Sequence, residues 1–455
     1  MRVIEPEAAW LASDPVSGAP GPVLASKVRI TIDSGRIVGL EPADRHSFLA
    51  RKLPGRVVLP GLVDAHSHAF QRAFRGHVQW RAQSTDDFWI WRDAMYRVAN
   101  GLSPEGVEAV SALAFLELAL AGVTHVGEFH YLHHAPDGTR YSDPDELARR
   151  VIAAAANVGV RITLLRVAYG RHSFGNTLRP EQRRFGDSGP EEALAAVERL
   201  RRTVSPRVTI GLAPHSVRAV PRDWLAAYRD FDGVIHAHIS EQPAENTACL
   251  AEYGCSPLQV FAEAGLLHER FTAVHLTFPE PGDVEAIRAE GASICVCPST
   301  ELDLGDGFLP LAAREGTRLC LGSDSHVVAD PLGEARALEW HARALAGRRN
   351  ILSPVGERHG LARRLLEVAS AGGARSLGQL HAGLAVGSPA DLFAVDVRRP
   401  QALGVPMLEA AVFSSTPEWV SDVWVDGEAI IEDGVHPKAE SILAAARPHL
   451  TQVLV

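Results

Sequence analysis

The sequence predicts an α/β protein: a (β/α)8 TIM barrel whose flanking N- and C-terminal segments fold together into a small β-sandwich. Three observations carry this. Between about residue 58 and residue 380, eight short apolar runs each lead into a longer Ala-, Leu- and Arg-rich stretch, the pattern of repeated βα units. Both ends of the chain carry paired strand-and-turn signals instead. The length, 455 residues, suits either one enlarged domain or a barrel with a smaller attached domain. The expected division is residues 1–57 for the N-terminal part of the sandwich, 58–380 for the barrel and 381–455 for the C-terminal part.

Taken in order, the elements support that division. "VRITIDSGRIVGLEP" sets apolar residues on either side of an Asp33-Ser34-Gly35 turn. The barrel strands are then "VVLPGLVDA", "GVTHVGEF", "RITLLRVA", "RVTIGLAP", "GVIHAHIS", "FTAVHLT", "ASICVCP" and "TRLCLGSD", the eight that such a barrel requires. The stretch from Arg171 to Pro190 is a polar insertion rather than a barrel element. "DLFAVDV" and "VWVDGEAIIEDGV" return to strands, with Asp426-Gly427 a two-residue hairpin turn.

A composition of 46% hydrophobic and 22% charged residues is that of a soluble globular protein. No apolar run of about 18 residues suggests a membrane span. The opening "MRVIEPEAAWLASDP" lacks the continuous apolar core of a secretory signal, so a cytoplasmic location is expected. A net charge of −10 argues against nonspecific nucleic-acid binding, which needs a basic footprint. Five cysteines without a CxxC pair indicate reduced thiols rather than a disulfide framework. A homodimer is the base-rate expectation.

Polar residues at the carboxyl ends of barrel strands converge on one face, where these barrels build their sites. Reading the ends in order yields His66 and His68, then His215, then His236, His238 and Glu241, then His275, then Asp324 and His326. Residues i and i+2 of a strand share a side, so His66 and His68 can face one ion. In a chain with 20 histidines one HxH pair means little by itself. With His238 and Asp324 it forms a donor set of the kind that binds zinc and keeps a position for water. Glu241, three residues past His238, is placed to take a proton from that water; a surface glutamate at a helix start is the plainer alternative. His236 reads as a hydrogen-bonded core histidine, and His130, His133 and His134 as solvated surface or pocket wall.

Together, "PGLVDAHSH", "HAHISE", "AVHLT", "LGSDSH" and "GSPADLFAVD" resemble the amidohydrolase superfamily over nearly the whole chain. Strand four ends in "LAPHSVRAV", with no lysine to bridge two metals, so the resemblance is to the one-metal deaminase branch. It implies one zinc ion per chain on His66, His68, His238 and Asp324, although such donors also accept iron, manganese or cobalt. It further implies Glu241 as proton shuttle, His275 as the residue that orients the attacking hydroxide, and Asp324 as a second proton acceptor. "HSHAFQRAFRG", "DDFWIWRDAMY", "HYLHH" and "PHSVRAV" narrow the likeness to deiminases of an acyclic formimino dicarboxylate. By that resemblance Gln71, Arg92, Tyr131, His215 and Arg218 contact the substrate.

The chemistry asks for such residues independently, because a small dicarboxylate needs fixed cations and hydroxyl donors and arginine suits bidentate carboxylate binding. Arg92, in "FWIWRDAMY", could instead pack on tryptophan or pair with Asp93. Two other readings stand beside the deiminase: a related zinc deaminase of a nucleobase or other heterocycle, and a barrel that binds without catalysis.

Overall fold

The computed structural model describes residues 1–13, 20–43, 49–81, 88–379 and 383–453. Strands β1 (Arg2–Ser13), β2 (Pro20–Ser26), β3 (Val28–Asp33), β4 (Arg36–Pro42) and β5 (Arg51–Pro60) open the chain. The barrel strands follow: β6 (Leu62–Ser67), β7 (Val123–His130), β8 (Arg161–Ala168), β9 (Val208–Pro214), β10 (Ile235–Ile239), β11 (Phe271–His275), β12 (Ser293–Val296) and β13 (Arg318–Leu321). Last come β14 (Leu392–Asp396), β15 (Val420–Val425) and β16 (Glu428–Ile431).

The terminal strands form one mixed sheet in the order β16-β15-β14-β5-β1-β3-β4, with β2 also on β1. The two ends of the chain meet where β14 runs antiparallel to β5, from Leu392 opposite Pro60 to Asp396 opposite Arg56. Ile4, Leu11, Ile30, Leu53, Leu392 and Trp424 fill a core of this sheet's own. Both expected hairpin turns are present. Ser34-Gly35 and Asp426-Gly427 each have two positive φ angles, 48° and 78° and then 50° and 69°. That is the type I′ geometry whose twist suits a two-residue hairpin.

β6 to β13 form a parallel eight-stranded sheet in sequence order. It closes through a parallel bridge between Ser67 and Asp324, with Asp324 N donating to His66 O (2.9 Å) and His68 N to Asp324 O (3.0 Å). Seven of the expected runs each fall on one barrel strand; the first, residues 57–65, straddles two. Val57–Pro60 finish β5 in the terminal sheet, and the chain crosses to the barrel at Gly61, where a Cβ would lie 2.2 Å from Thr124 Oγ1. The expected boundary at residue 380 lies outside the described residues. Among the described residues no helix is long and apolar enough to cross a membrane.

The segment after β8 is not a barrel strand, and part of its polar set, Arg171, Gln182, Arg184 and Asp187, is buried. Within it a 3-10 helix, Pro180–Phe185, buries Gln182, Arg184 and Phe185. Gln182 Nε2 donates to Tyr96 Oη (2.9 Å) and Tyr169 Oη (2.8 Å), and Asp187 takes a 2.6 Å bond from Arg166. This insertion is a wall of the cleft described next.

Candidate active site

Closing the barrel brings the ends of β6, β10 and β13 to one point. The Nε2 atoms of His66 and His238 are 3.2 Å apart, and Asp324 Oδ1 lies 3.4 Å from His66 Nε2 and 3.3 Å from His68 Nε2. The second nitrogen of two of these rings is fixed. His68 Nδ1 donates to Phe129 O and His238 Nδ1 to His215 O, both at 3.0 Å. A carbonyl only accepts, so those Nδ1 atoms carry the protons and the Nε2 lone pairs face inward. Burial, helped by neighbouring histidines, pushes His66 and His238 well below the usual imidazole range and His68 to about 3, so all three are neutral.

Two inward lone pairs, the Nε2 of a third imidazole and a carboxylate, with donor atoms all within 4.8 Å of one another, are an arrangement that a cation satisfies. Ligands about 2.1 Å from one tetrahedral ion lie roughly 3.4 Å apart, so the spacing fits as well. The backbone is held against its preference around the site. Asp324, His275 and Leu276 take left-handed φ angles of 49°, 71° and 51°, which the closed barrel enforces.

Beside this cluster His275 Nε2 lies 3.7 Å from Glu241 Oε1 and 3.8 Å from Asp324 Oδ2, while its Nδ1 meets Glu301 Oε1 at 3.3 Å. Burial alone would lower its pKa; the bond to Glu301 and the charges of Glu241 and Asp324 outweigh burial and push it up to about 10. Asp306, whose Oδ1 accepts from Gln242, is raised to about 9 by burial first and the Glu241 charge second. This surplus of carboxylates is what a divalent ion at the four donors would balance.

The five residues expected to touch substrate line one cleft of about 620 Å³, mouth included, together with His68, His238, Glu241 and Asp324. Gln71, on the 3-10 helix Ala69–Phe74, donates from Nε2 to Tyr131 Oη (2.9 Å). His215 Nδ1 is 3.1 Å from Ser216 Oγ. Arg92, on the helix Phe88–Gly101, lies 4.5 Å over the Trp89 ring and 5.6 Å from the Tyr96 ring centre. No carboxylate pairs with it among the described residues, Asp93 included, and its buried Nε has no partner. Arg218 differs: its Nη2 donates to Glu241 Oε2 at 2.6 Å.

His130, His133 and His134 are buried rather than solvated and do not line the cleft. His133 Nε2 donates to Val167 O (3.0 Å) and His134 Nε2 to Gly186 O (2.9 Å), carbonyls supplied by distant segments. His236 is the core histidine expected, bonded to Ser376 O at 2.9 Å. His326 sits behind the site, 2.9 Å from Ser67 Oγ. Glu301 and Asp306 were missed; the strand-end rule applied to β12 would have pointed to Cys297 and Glu301, the two that lie beside His275. The five cysteines are free.

A closed parallel barrel with an interior cluster of neutral histidines and a carboxylate, beside the buried carboxylate of Glu241, is the architecture of a hydrolase with a metal-type centre. The chain belongs to the amidohydrolase family, which residues 57–430 match. It is 38% identical over 426 residues to a formimidoylglutamate deiminase of Pseudomonas aeruginosa, covering 91% of this chain and 93% of that protein. A 5-methylthioadenosine/S-adenosylhomocysteine deaminase of Halobacterium salinarum is 28% identical over 418 residues, 89% of this chain and 88% of that one. The crystal structure of an amidohydrolase from Brucella melitensis superposes with a TM-score of 0.91 at 33% identity, over the full length of both chains.

Proposed function

We propose that the chain is a deiminase that hydrolyses N-formimino-L-glutamate to N-formyl-L-glutamate and ammonia, a step of histidine degradation. The observation that carries this reading is Arg92, a cation without a carboxylate partner among the described residues, in the same cleft as Arg218 and the four-donor cluster. A substrate with two carboxylates supplies the missing anion. The named activity of the Pseudomonas aeruginosa relative supports the same choice.

His66, His68, His238 and Asp324 would hold one zinc ion. What a divalent ion contributes there is Lewis acidity, which brings water within reach of a carboxylate base near neutral pH. Glu241 takes the proton of the attacking water and later delivers it to the departing nitrogen, so that ammonia rather than an anion leaves. Its Oε2 is taken by Arg218, while its Oε1 faces His275. His275, braced by Glu301, stabilises the charge that builds on oxygen as the formimino carbon becomes tetrahedral. Asp324 accepts the remaining hydroxyl proton as the carbonyl forms. Arg92, Arg218, Gln71 and Tyr131 bind the remote carboxylates and hold the reacting carbon in line.

A second reading has an observation of its own. Phe88, Trp91, Tyr169 and Phe185 also line the cleft and offer stacking faces for a heterocycle, and a nucleoside deaminase is among the relatives. Two arginines weigh against an uncharged base. Product analysis in 18O-labelled water tests the proposal: N-formylglutamate with one labelled oxygen, plus one ammonia per turnover, is expected. Formamide and glutamate would show that the other nitrogen leaves, and no product would refute the assignment.

A further inference from the structure

The two arginines of the cleft stand in opposite electrostatic conditions. Arg92 lacks an anion, whereas Arg218 lies between two: Glu241 Oε2 at 2.6 Å from Nη2, and Glu245 Oε2 at 3.6 Å from Nε. Glu245 belongs to the first turn of the helix Pro243–Tyr253 and is 1% exposed. Its Oε2 also accepts from Glu241 N (3.3 Å), and its buried Oε1 has no hydrogen-bond partner. No step of the proposed chemistry uses it.

One guanidinium between two carboxylates carries a net charge of −1. A substrate carboxylate docking on Arg218 would make that −2 in a buried place, which like-charge repulsion at short range opposes. Arginine keeps its proton in any such setting. Glu241 has to stay available as the base. That leaves Glu245, which faces Arg218 from the segment after β9, Glu241 from the segment after β10, His275 from β11 and Cys249 on its own helix. Burial, ahead of the Glu241 charge and against the pull of Arg218, already pushes the Glu245 carboxyl up to about 7.

We propose that Glu245 is a positioning residue that holds Arg218 in the cleft and takes up a proton as a substrate carboxylate docks there. Anion binding at this end of the cleft is thereby coupled to protonation one shell away from the chemistry. The proposal rests on the reading of the cleft as a dicarboxylate pocket.

The test is calorimetry of the metal-loaded protein with glutarate, an unreactive dicarboxylate, at pH 8 in buffers of different ionisation heat. Wild type is expected to take up close to one proton per glutarate bound, and Glu245→Gln to bind glutarate with none. A second measurement needs no variant: above pH 7 the wild-type Kd for glutarate should rise about tenfold per pH unit. Glutarate binding without proton uptake and with a flat Kd would overturn the role of Glu245 and leave the pocket assignment standing. The same uptake in Glu245→Gln would overturn it too. Failure of glutarate to bind at any pH would overturn the dicarboxylate reading, and this inference with it.

Discussion

Replacing Arg92 by alanine should separate function from stability. The guanidinium lines the cleft over Trp89, with no carboxylate partner among the described residues and a buried Nε without a hydrogen bond. If it binds a substrate carboxylate, its removal deletes charge-assisted hydrogen bonds worth about 1.5 to 3 kcal/mol each. A loss of about 3 kcal/mol is roughly a 150-fold fall in kcat/KM, and because the contact is remote from the reacting carbon most of it should appear in KM. Folding responds differently. The variant loses a cation–π contact worth about 1 kcal/mol but no longer leaves a half-buried cation without a partner, so the two changes oppose each other. Tm should therefore move by about 2 °C or less. Arg92→Lys keeps the charge without the planar fork and should recover only part of the loss. The assay is ammonia release over a range of N-formimino-L-glutamate concentrations, with a melting curve and metal analysis of each variant. A change in kcat/KM below threefold at equal metal content would contradict carboxylate binding by Arg92, as would an equal fall on an amidine that carries no carboxylate.

Glu241→Gln should reduce turnover by about a thousandfold, in the range removed with a general acid–base, while metal analysis still finds the wild-type content; retention of a tenth of the activity would rule out proton transfer by this residue. Gln71→Ala removes the bond to Tyr131 Oη, and KM should rise about tenfold at unchanged metal content. Glu334 offers a test by pH. It is buried on the helix Pro331–Ala346, accepts from Ser299 N (2.9 Å), and burial raises its carboxyl from 4.5 to about 8. The folded protein therefore keeps a proton that the unfolded chain releases, and stability falls as pH rises from about 4.5 toward 8, by on the order of 5 kcal/mol from this group. Urea midpoints at pH 5 and pH 8.5 should show a shallower fall for Glu334→Gln. Some slope will remain from Asp64 and Glu128, raised to about 7 and about 8 by burial, and identical slopes in wild type and variant would contradict the account.

The framework was legible because its signals are local. The i, i+2 spacing turns His66, near the end of β6, and His68, just beyond it, to one side, and the Ser34-Gly35 and Asp426-Gly427 pairs carry their turn geometry in their residue types. The strand-end rule then groups His238 and Asp324 with them, which a closed barrel makes physical. What escaped depends on partners remote in sequence. His133 and His134 look solvated until Val167 and Gly186 bring carbonyls to them, and Gln182 looks like insertion polarity until Tyr96 and Tyr169 close over it. Glu245 and Glu301 lie in the first turns of helices, where a carboxylate is favoured by the helix dipole whether or not it serves a site. Only the tertiary fold shows that Arg218 and His275 lie against them.

The most direct test of the central claim is a side-by-side ammonia-release assay of metal-replete protein on N-formimino-L-glutamate, S-adenosylhomocysteine, cytosine, guanine and adenosine. Expected is a kcat/KM for N-formimino-L-glutamate at least about a hundredfold above every other compound, the discrimination that the Arg92 contact of about 3 kcal/mol would supply by itself. A heterocycle turned over faster than N-formimino-L-glutamate would contradict it.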